Sequence, residues 1–282
     1  MNSEKVATFG SNNALTGIIS EPKEIDTNKP ALIILNAGLV HHAGPFRLST
    51  KFSREIAEQG YLTLRFDLSG IGDSINHSTN ADYSEQVIKD VGMAINYIKK
   101  NYAIDKVILF GICTGADNAH KVAAVNPNVV GAIFVDGYAY RTFKFLMCRY
   151  LPILMDFSRI KNLLNRIMTY HFKRTNNKTS LANAAFETRG VFTWKLPPKK
   201  QVVDELNKIL NGGAELFYIF TGGSNHYCNY PSQFEKSLSK VKFGNQLKVR
   251  FDEDVDHTFI LEQDQRILFR EVKSWLADNF SG

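Results

Sequence analysis

The chain has 282 residues, 44% of them apolar, enough to bury the core of one large α/β domain with room for an insertion. No apolar run approaches the ~18 residues of a membrane span, and Met1-Asn2-Ser3-Glu4-Lys5 lacks the apolar stretch of a secretion signal. Cys113, Cys148 and Cys228 are too widely spaced for a disulfide framework or a zinc pattern, so the expectation is a reducing, cytoplasmic setting with no metal or other cofactor.

In chain order, Val6 to Gly10 and Leu15 to Ser20 read as two strands joined by the polar turn Ser11-Asn12-Asn13, a hairpin at a sheet edge. Pro30 to Leu35 is a continuous apolar run, the pattern of a strand buried on both faces. A helix from Leu48 to Gln59 closes at Gly60, the residue type that ends helices. Tyr61 to Asp67 is a strand, followed by the glycine-rich loop Leu68 to Ser74. Ser84 to Tyr102 is helical, with Val87, Val91, Ala94, Ile95 and Ile98 on one face. Later strands fall at Lys106 to Ile112, Val129 to Asp136, Glu215 to Phe220 and Gln246 to Phe251. Helices fall at Pro231 to Lys240 and Gln263 to Phe280. This alternation predicts a mostly parallel, doubly wound sheet. Between Tyr138 and Gly213 the strand signal disappears and helical patterns such as Ile160-Leu163-Leu164-Ile167 take over. The domain plan is therefore a core at 1–138 and 213–282 with a helical cap inserted at 139–212.

The strand from Lys106 ends in Gly111-Ile112-Cys113-Thr114-Gly115, and Ala116 to His120 begin a helix. A nucleophile at such a sharp turn holds a strained backbone, so the residues two before and two after it must be small. At a helix N-terminus it also meets the positive end of the macrodipole, which favours an anion there.

The strand order, the loop Arg65-x-Asp67-x-x-Gly70-x-Gly72-x-Ser74, the Gly-x-Cys-x-Gly elbow and the late Asp256-His257 together resemble the α/β-hydrolase superfamily. That resemblance covers nearly the whole chain except the cap. It implies an eight-stranded, mostly parallel α/β-hydrolase sheet. Asn36-Ala37-Gly38 with Gly44-Pro45-x-Arg47 resembles, more narrowly, the hydrolases associated with exosortase systems. Family elbows usually carry serine. Cysteine there is similar to dienelactone hydrolases, polyhydroxyalkanoate synthases, bile-acid acyltransferases and the thiol (amino)acyl shuttles of peptide-synthetase pathways.

The resemblance assigns Cys113 as nucleophile and His257, just past the last strand, as base. It places the acid after the penultimate strand, where Thr221 to Tyr227 contain no carboxylate. Two orienters remain open: Asp136, at the end of the preceding strand, and Asn225, as in Cys-His-Asn proteases. The implied oxyanion donors are the backbone N–H groups of Thr114 and Leu39, with Gly38 and His41 beside the substrate pocket. Asp67, Gly70 and Gly72 read as residues that hold the loop next to the elbow.

From Arg141 to Lys200 there are 13 Lys and Arg against two acids, Asp156 and Glu187; this +11 segment sits in a chain of net charge +6, so the remainder carries about −5. A basic cap over a thiol predicts an acyl thioester or ester substrate on an anionic carrier, either coenzyme A or an acyl carrier protein. The alternatives are a plain solvated helical surface and, as a third reading, docking to an anionic membrane surface, which Phe143, Phe145, Leu146, Tyr150 and Leu151 among the basic residues encourage. No nucleic-acid recognition motif accompanies the charge. The functional expectation is an acyltransferase or thioesterase working through an acyl-S-enzyme. The rivals are a cysteine-dependent ester or lactone hydrolase of dienelactone-hydrolase type and a catalytically silent binding fold.

Overall fold

The computed structural model describes residues 3–75, 82–155 and 196–280. Its eight strands are β1 (Ser3–Phe9), β2 (Leu15–Glu21), β3 (Ala31–Ile34), β4 (Thr63–Phe66), β5 (Val107–Ile112), β6 (Val129–Val135), β7 (Glu215–Thr221) and β8 (Leu247–Asp252). They form one sheet in the order β1-β2-β4-β3-β5-β6-β7-β8. Only β2 runs against its neighbours; every pairing from β4 to β8 is parallel. The expected α/β-hydrolase sheet is therefore present, with the antiparallel hairpin at one edge. Asn12 and Asn13 turn that hairpin with φ of 56° and 54°, a left-handed conformation asparagine tolerates.

Helices cover both faces, and the strands alternate their side chains between them. Ile33, Val107 and Leu109 face one core with α2 (Tyr83–Tyr102) and α3 (Thr114–Ala123), and Leu32, Ile108 and Phe110 face the other with α1 (Leu48–Glu58) and the C-terminal helix Glu262–Phe280. Both faces being covered is why the central strands are apolar without alternation. Gly60, with φ of +88°, follows α1 as expected.

The helix expected over Pro231 to Lys240 spans only Gln233–Ser237. Ser237 Oγ donates to the Phe234 carbonyl at 2.9 Å, a serine back-bond that competes with helix continuation. Leu238 and Val241 then turn into the core.

Of the inserted segment 139–212, the structure describes both ends. One is α4 (Phe143–Met155) and the other α5 (Lys199–Asn211). The intervening 156–195, which carries His171 and most of the basic residues, lies outside the described residues. Helix α5 buries Val202, Leu206 and Ile209 in the same core as α2 and α3. It thus forms part of the crossover between β6 and β7. After it come α6 (Gln233–Ser237) and α7 (Glu262–Phe280).

Candidate active site

The tight turn between β5 and α3 has Cys113 at its apex, with φ 56° and ψ −122°. Such a conformation costs an L-residue about 1–3 kcal/mol and persists only where the surroundings impose it. Here the surroundings are backbone. A Cβ on Gly111 would lie 2.1 Å from the Gly115 carbonyl, and one on Gly115 would lie 2.7 Å from the Asn36 oxygen. Cys113 N–H donates to Val135 O at 3.0 Å, and Cys113 O accepts from Ala116 and Asp117. The thiol is half-buried at the start of α3, where the helix dipole is positive. Cys228, by contrast, is fully buried, and that burial, with the negative Asp136 nearby, pushes its thiol up to about 12. Cys148 is exposed on α4.

Asp136 follows β6 with φ of 52° and meets the His257 ring. His257 Nδ1 lies 2.5 Å from Asp136 Oδ2. Thr221 holds the same carboxylate twice, through N–H to Oδ1 at 2.7 Å and through Oγ1 to Oδ2 at 2.6 Å. Tyr227 OH donates to the Asp136 carbonyl at 2.8 Å. The hydrogen bond that His257 donates to Asp136, and then that with the Cys113 sulfur, raise the His257 ring to about 10, against the opposing effect of burial.

The loop after β7 lacks the carboxylate the family usually places there, and the carboxylate beside His257 comes from one strand earlier. That loop has another task, which is to make room. A Cβ on Gly223 would sit 2.3 Å from His257 Cβ, and one on Gly222 would sit 2.2 Å from Glu253 O. His257 Nδ1 pairs with Asp136 and not with the alternative orienter Asn225. Asn225 Oδ1 has no hydrogen-bond partner among the described residues.

On the opposite side, Gly38 N–H donates to Thr114 Oγ1 at 2.6 Å, so this donor is occupied and it fastens the loop after β3 to the elbow. Thr114 N–H is in the first helical turn, where no intrahelical acceptor exists. Leu39 is 77% exposed. Asn36 anchors the loop by donating to Val40 O and Asp67 Oδ1 and accepting from Leu68 N–H. Asp67 is fully buried. Burial pushes its carboxyl up, but hydrogen bonds from His42, Asp73 N–H and Asn36 hold it below the usual carboxylate range.

A cavity of about 210 Å³ opens at Cys113, lined by Cys113, Asp136, Gly223, His226, Tyr227 and His257. Gly38 and His41, expected beside the pocket, are not among these lining residues. His41 is instead tied to Asp73 at 3.0 Å. His226 and Tyr227 were not anticipated, and neither was the Thr221 clamp, because nothing in their spacing sets them apart from an ordinary loop. Helix α4 is fastened to this rim. Arg141 donates to His226 O at 3.2 and 2.9 Å, Arg149 to Asn225 O at 3.3 Å, and Asn229 to Phe145 O at 3.2 Å. Lys144 lies over the Tyr230 ring.

A cysteine elbow, a histidine after the last strand and an aspartate oriented towards it, on this sheet, define an α/β-hydrolase. Over residues 27–183, more than half its length, the sequence matches the hydrolase family described as serine aminopeptidase, S33, and the chain belongs to that family. No curated protein matches it. Among solved structures it is similar to a dienelactone hydrolase from Anabaena variabilis (12% identity, TM-score 0.61, covering 99% of each chain). It is also similar to an esterase from Pyrococcus furiosus (14%, 0.62, 99% of this chain and 92% of that one). Est1E from Butyrivibrio proteoclasticus is a third (13%, 0.59, 97% and 98%). At these identities the likeness is one of fold. None of the described helices is long and apolar enough to cross a membrane.

Proposed function

We propose that the protein is a cysteine-dependent hydrolase of small esters or lactones. The observation that carries this reading is the His257–Asp136 pair facing Cys113 across one cavity. In the proposed reaction the Cys113 sulfur attacks the ester carbonyl, and the N–H groups of Thr114 and Leu39 receive the developing oxyanion. The His257 imidazolium gives its Nε2 proton to the leaving alkoxide as the C–O bond breaks, leaving an acyl-S-enzyme. Water then attacks that thioester as neutral His257 takes its proton, the C–S bond breaks, and His257 passes the proton to the departing sulfur, so the free acid leaves with the thiol and the neutral imidazole restored. Throughout, Asp136 holds Nδ1–H, so the reacting nitrogen stays Nε2.

Three things favour hydrolysis of small substrates over transfer from a carrier. The cavity of about 210 Å³ holds roughly seven water volumes of ~30 Å³, which suits a short acyl group or a lactone ring. Three basic residues expected to face a carrier, Arg141, Lys144 and Arg149, are engaged in fastening α4 to the rim. Two of the structural neighbours described above are named as an esterase and a dienelactone hydrolase, which is support by analogy of fold.

The test is turnover of short nitrophenyl esters and simple lactones, beside acyl-coenzyme A and acyl-carrier-protein thioesters, with mass spectrometry of the intact protein. We expect free acid from the esters, a transient acyl increment on Cys113, and a fall in kcat of up to roughly 10⁶-fold in Cys113→Ala. A stable increment discharged only by an added thiol or amine acceptor would convert the reading to acyl transfer. No adduct and no turnover with any donor would leave a binding fold.

A further inference from the structure

We propose that His41, His42, Asp67 and Asp73 form a binding site for a divalent transition ion of the zinc class, separate from the Cys113 centre and independent of the activity proposed for it. The sequence suggests no metal because the four residues come from two loops, one after β3 and one after β4. Folding brings one ligand atom from each to within 4.8 Å of all the others. His42 Nδ1 lies 2.7 Å from Asp67 Oδ2, and His41 Nε2 lies 3.5 Å from that oxygen and 3.0 Å from Asp73 Oδ2. Tetrahedral ligands at ~2.0–2.1 Å from zinc stand about 3.4 Å apart. The observed separations bracket that edge, so a small outward shift of the two rings completes the geometry.

The donor set also selects the ion. Two imidazole nitrogens with two carboxylate oxygens suit zinc and its neighbours, whereas calcium and magnesium take oxygen ligands. The His41 and His42 rings lie with centroids 3.7 Å apart and tilted by 39°, so both imidazoles stand beside the two carboxylates. The second shell is in place. Asp67 Oδ1 is oriented by Asn36 Nδ2 at 2.8 Å and His42 N–H at 2.6 Å, and Asp73 N–H donates to Oδ2 at 3.0 Å. A Cβ on Gly72 would lie 2.2 Å from Oδ2, so that position is kept clear for close approach to the carboxylate. Coordination at His41 Nε2 moves that ring's proton to Nδ1 and gives up the 3.2 Å contact from Ala43 N–H, one hydrogen bond exchanged for a coordination bond. The ion would tie the loop that carries Gly38 and Leu39 to the loop after β4.

The experiment is a calorimetric titration with Zn²⁺ in a Cys113→Ala background, because the thiol beside His257 would itself bind zinc, followed by Co²⁺ absorption spectroscopy. We expect one ion per chain, visible cobalt bands without sulfur charge transfer, and binding weakened more than about tenfold by His41→Ala or Asp73→Asn. Both side chains are solvent-accessible, so circular dichroism of these variants is expected to match the parent. Absence of stoichiometric binding, a sulfur charge-transfer band, or affinity unchanged in both variants overturns the site. The cobalt spectrum decides the question without relying on either substitution.

Discussion

Cys113 and His257 meet in one site, but different forces hold them there. The Cys113 side is contiguous: β5, the turn and α3 lie within residues 107–123, and excluded volume between Gly111, Gly115 and Asn36 sets the backbone. The His257 side is assembled from residues far apart in sequence. Asp136 and His257 are separated by 121 positions, and Thr221 joins them from a third strand end. The first side therefore tolerates almost no change of shape, whereas the second responds in degrees, through hydrogen bonds, protonation and small displacements. The contrast places the chemical tunability of the site with Asp136 and His257 rather than with Cys113.

The largest effect expected on the assembled side is from Asp136→Asn. An amide retains Thr221 N–H as a donor but turns its own NH₂ towards Thr221 Oγ1 and His257 Nδ1, which favours the wrong tautomer. We expect kcat to fall on the order of 10⁴-fold with circular dichroism preserved; a loss under tenfold would remove Asp136 as the orienter.

Next comes Gly223→Ala, which sharpens the distinction between shape and hydrogen bonding. The added methyl meets His257 Cβ and displaces the ring by up to about 1 Å, for which a loss of around 10²-fold in kcat is expected. If turnover stays at the parent level, the close packing of this loop on His257 has no catalytic consequence.

The pH dependence of stability tests the same pair. The ring is raised from 6.5 to about 10 on folding, so the folded form binds its proton more tightly than the unfolded chain does. Its stabilising contribution is complete below pH 6.5 and disappears as pH rises through 10. Urea unfolding across that range, compared between the parent and His257→Ala, is expected to show the two midpoints converging as pH rises. Midpoints that run parallel would contradict the raised value.

The smallest effect belongs to Asn225→Ala, for which we expect a change in kcat of less than about twofold, the range of substitutions outside the working contacts. A fall comparable with that of Asp136→Asn would return Asn225 to the role of orienter.

The elbow and the sheet were readable from the sequence for a physical reason: both follow from local rules. Apolar runs bounded by glycine mark buried parallel strands, and a nucleophile between two glycines marks a turn only small residues permit. The amphipathic pattern Val87-Val91-Ala94-Ile95-Ile98 placed α2 within a residue of its observed start. The α6 segment was readable as a helix but not in length, since the Ser237 back-bond and the burial of Leu238 decide where it stops.

For the site, the sequence by itself determined Cys113 at the turn and proposed His257 from its place after the last strand. It favoured Asp136 slightly as the orienter and kept Asn225 as the alternative, because either could reach a histidine whose position was not yet defined. The contact itself is made by tertiary structure: parallel pairing of β6 with β7 brings Asp136 beside Thr221, and Gly222 and Gly223 let the His257 loop close onto it. The same kind of convergence gathered His41, His42, Asp67 and Asp73, four residues with no spacing signature. Steric constraints act between neighbours in sequence and leave a pattern there; hydrogen bonds and coordination act between neighbours in space, and only the fold makes those.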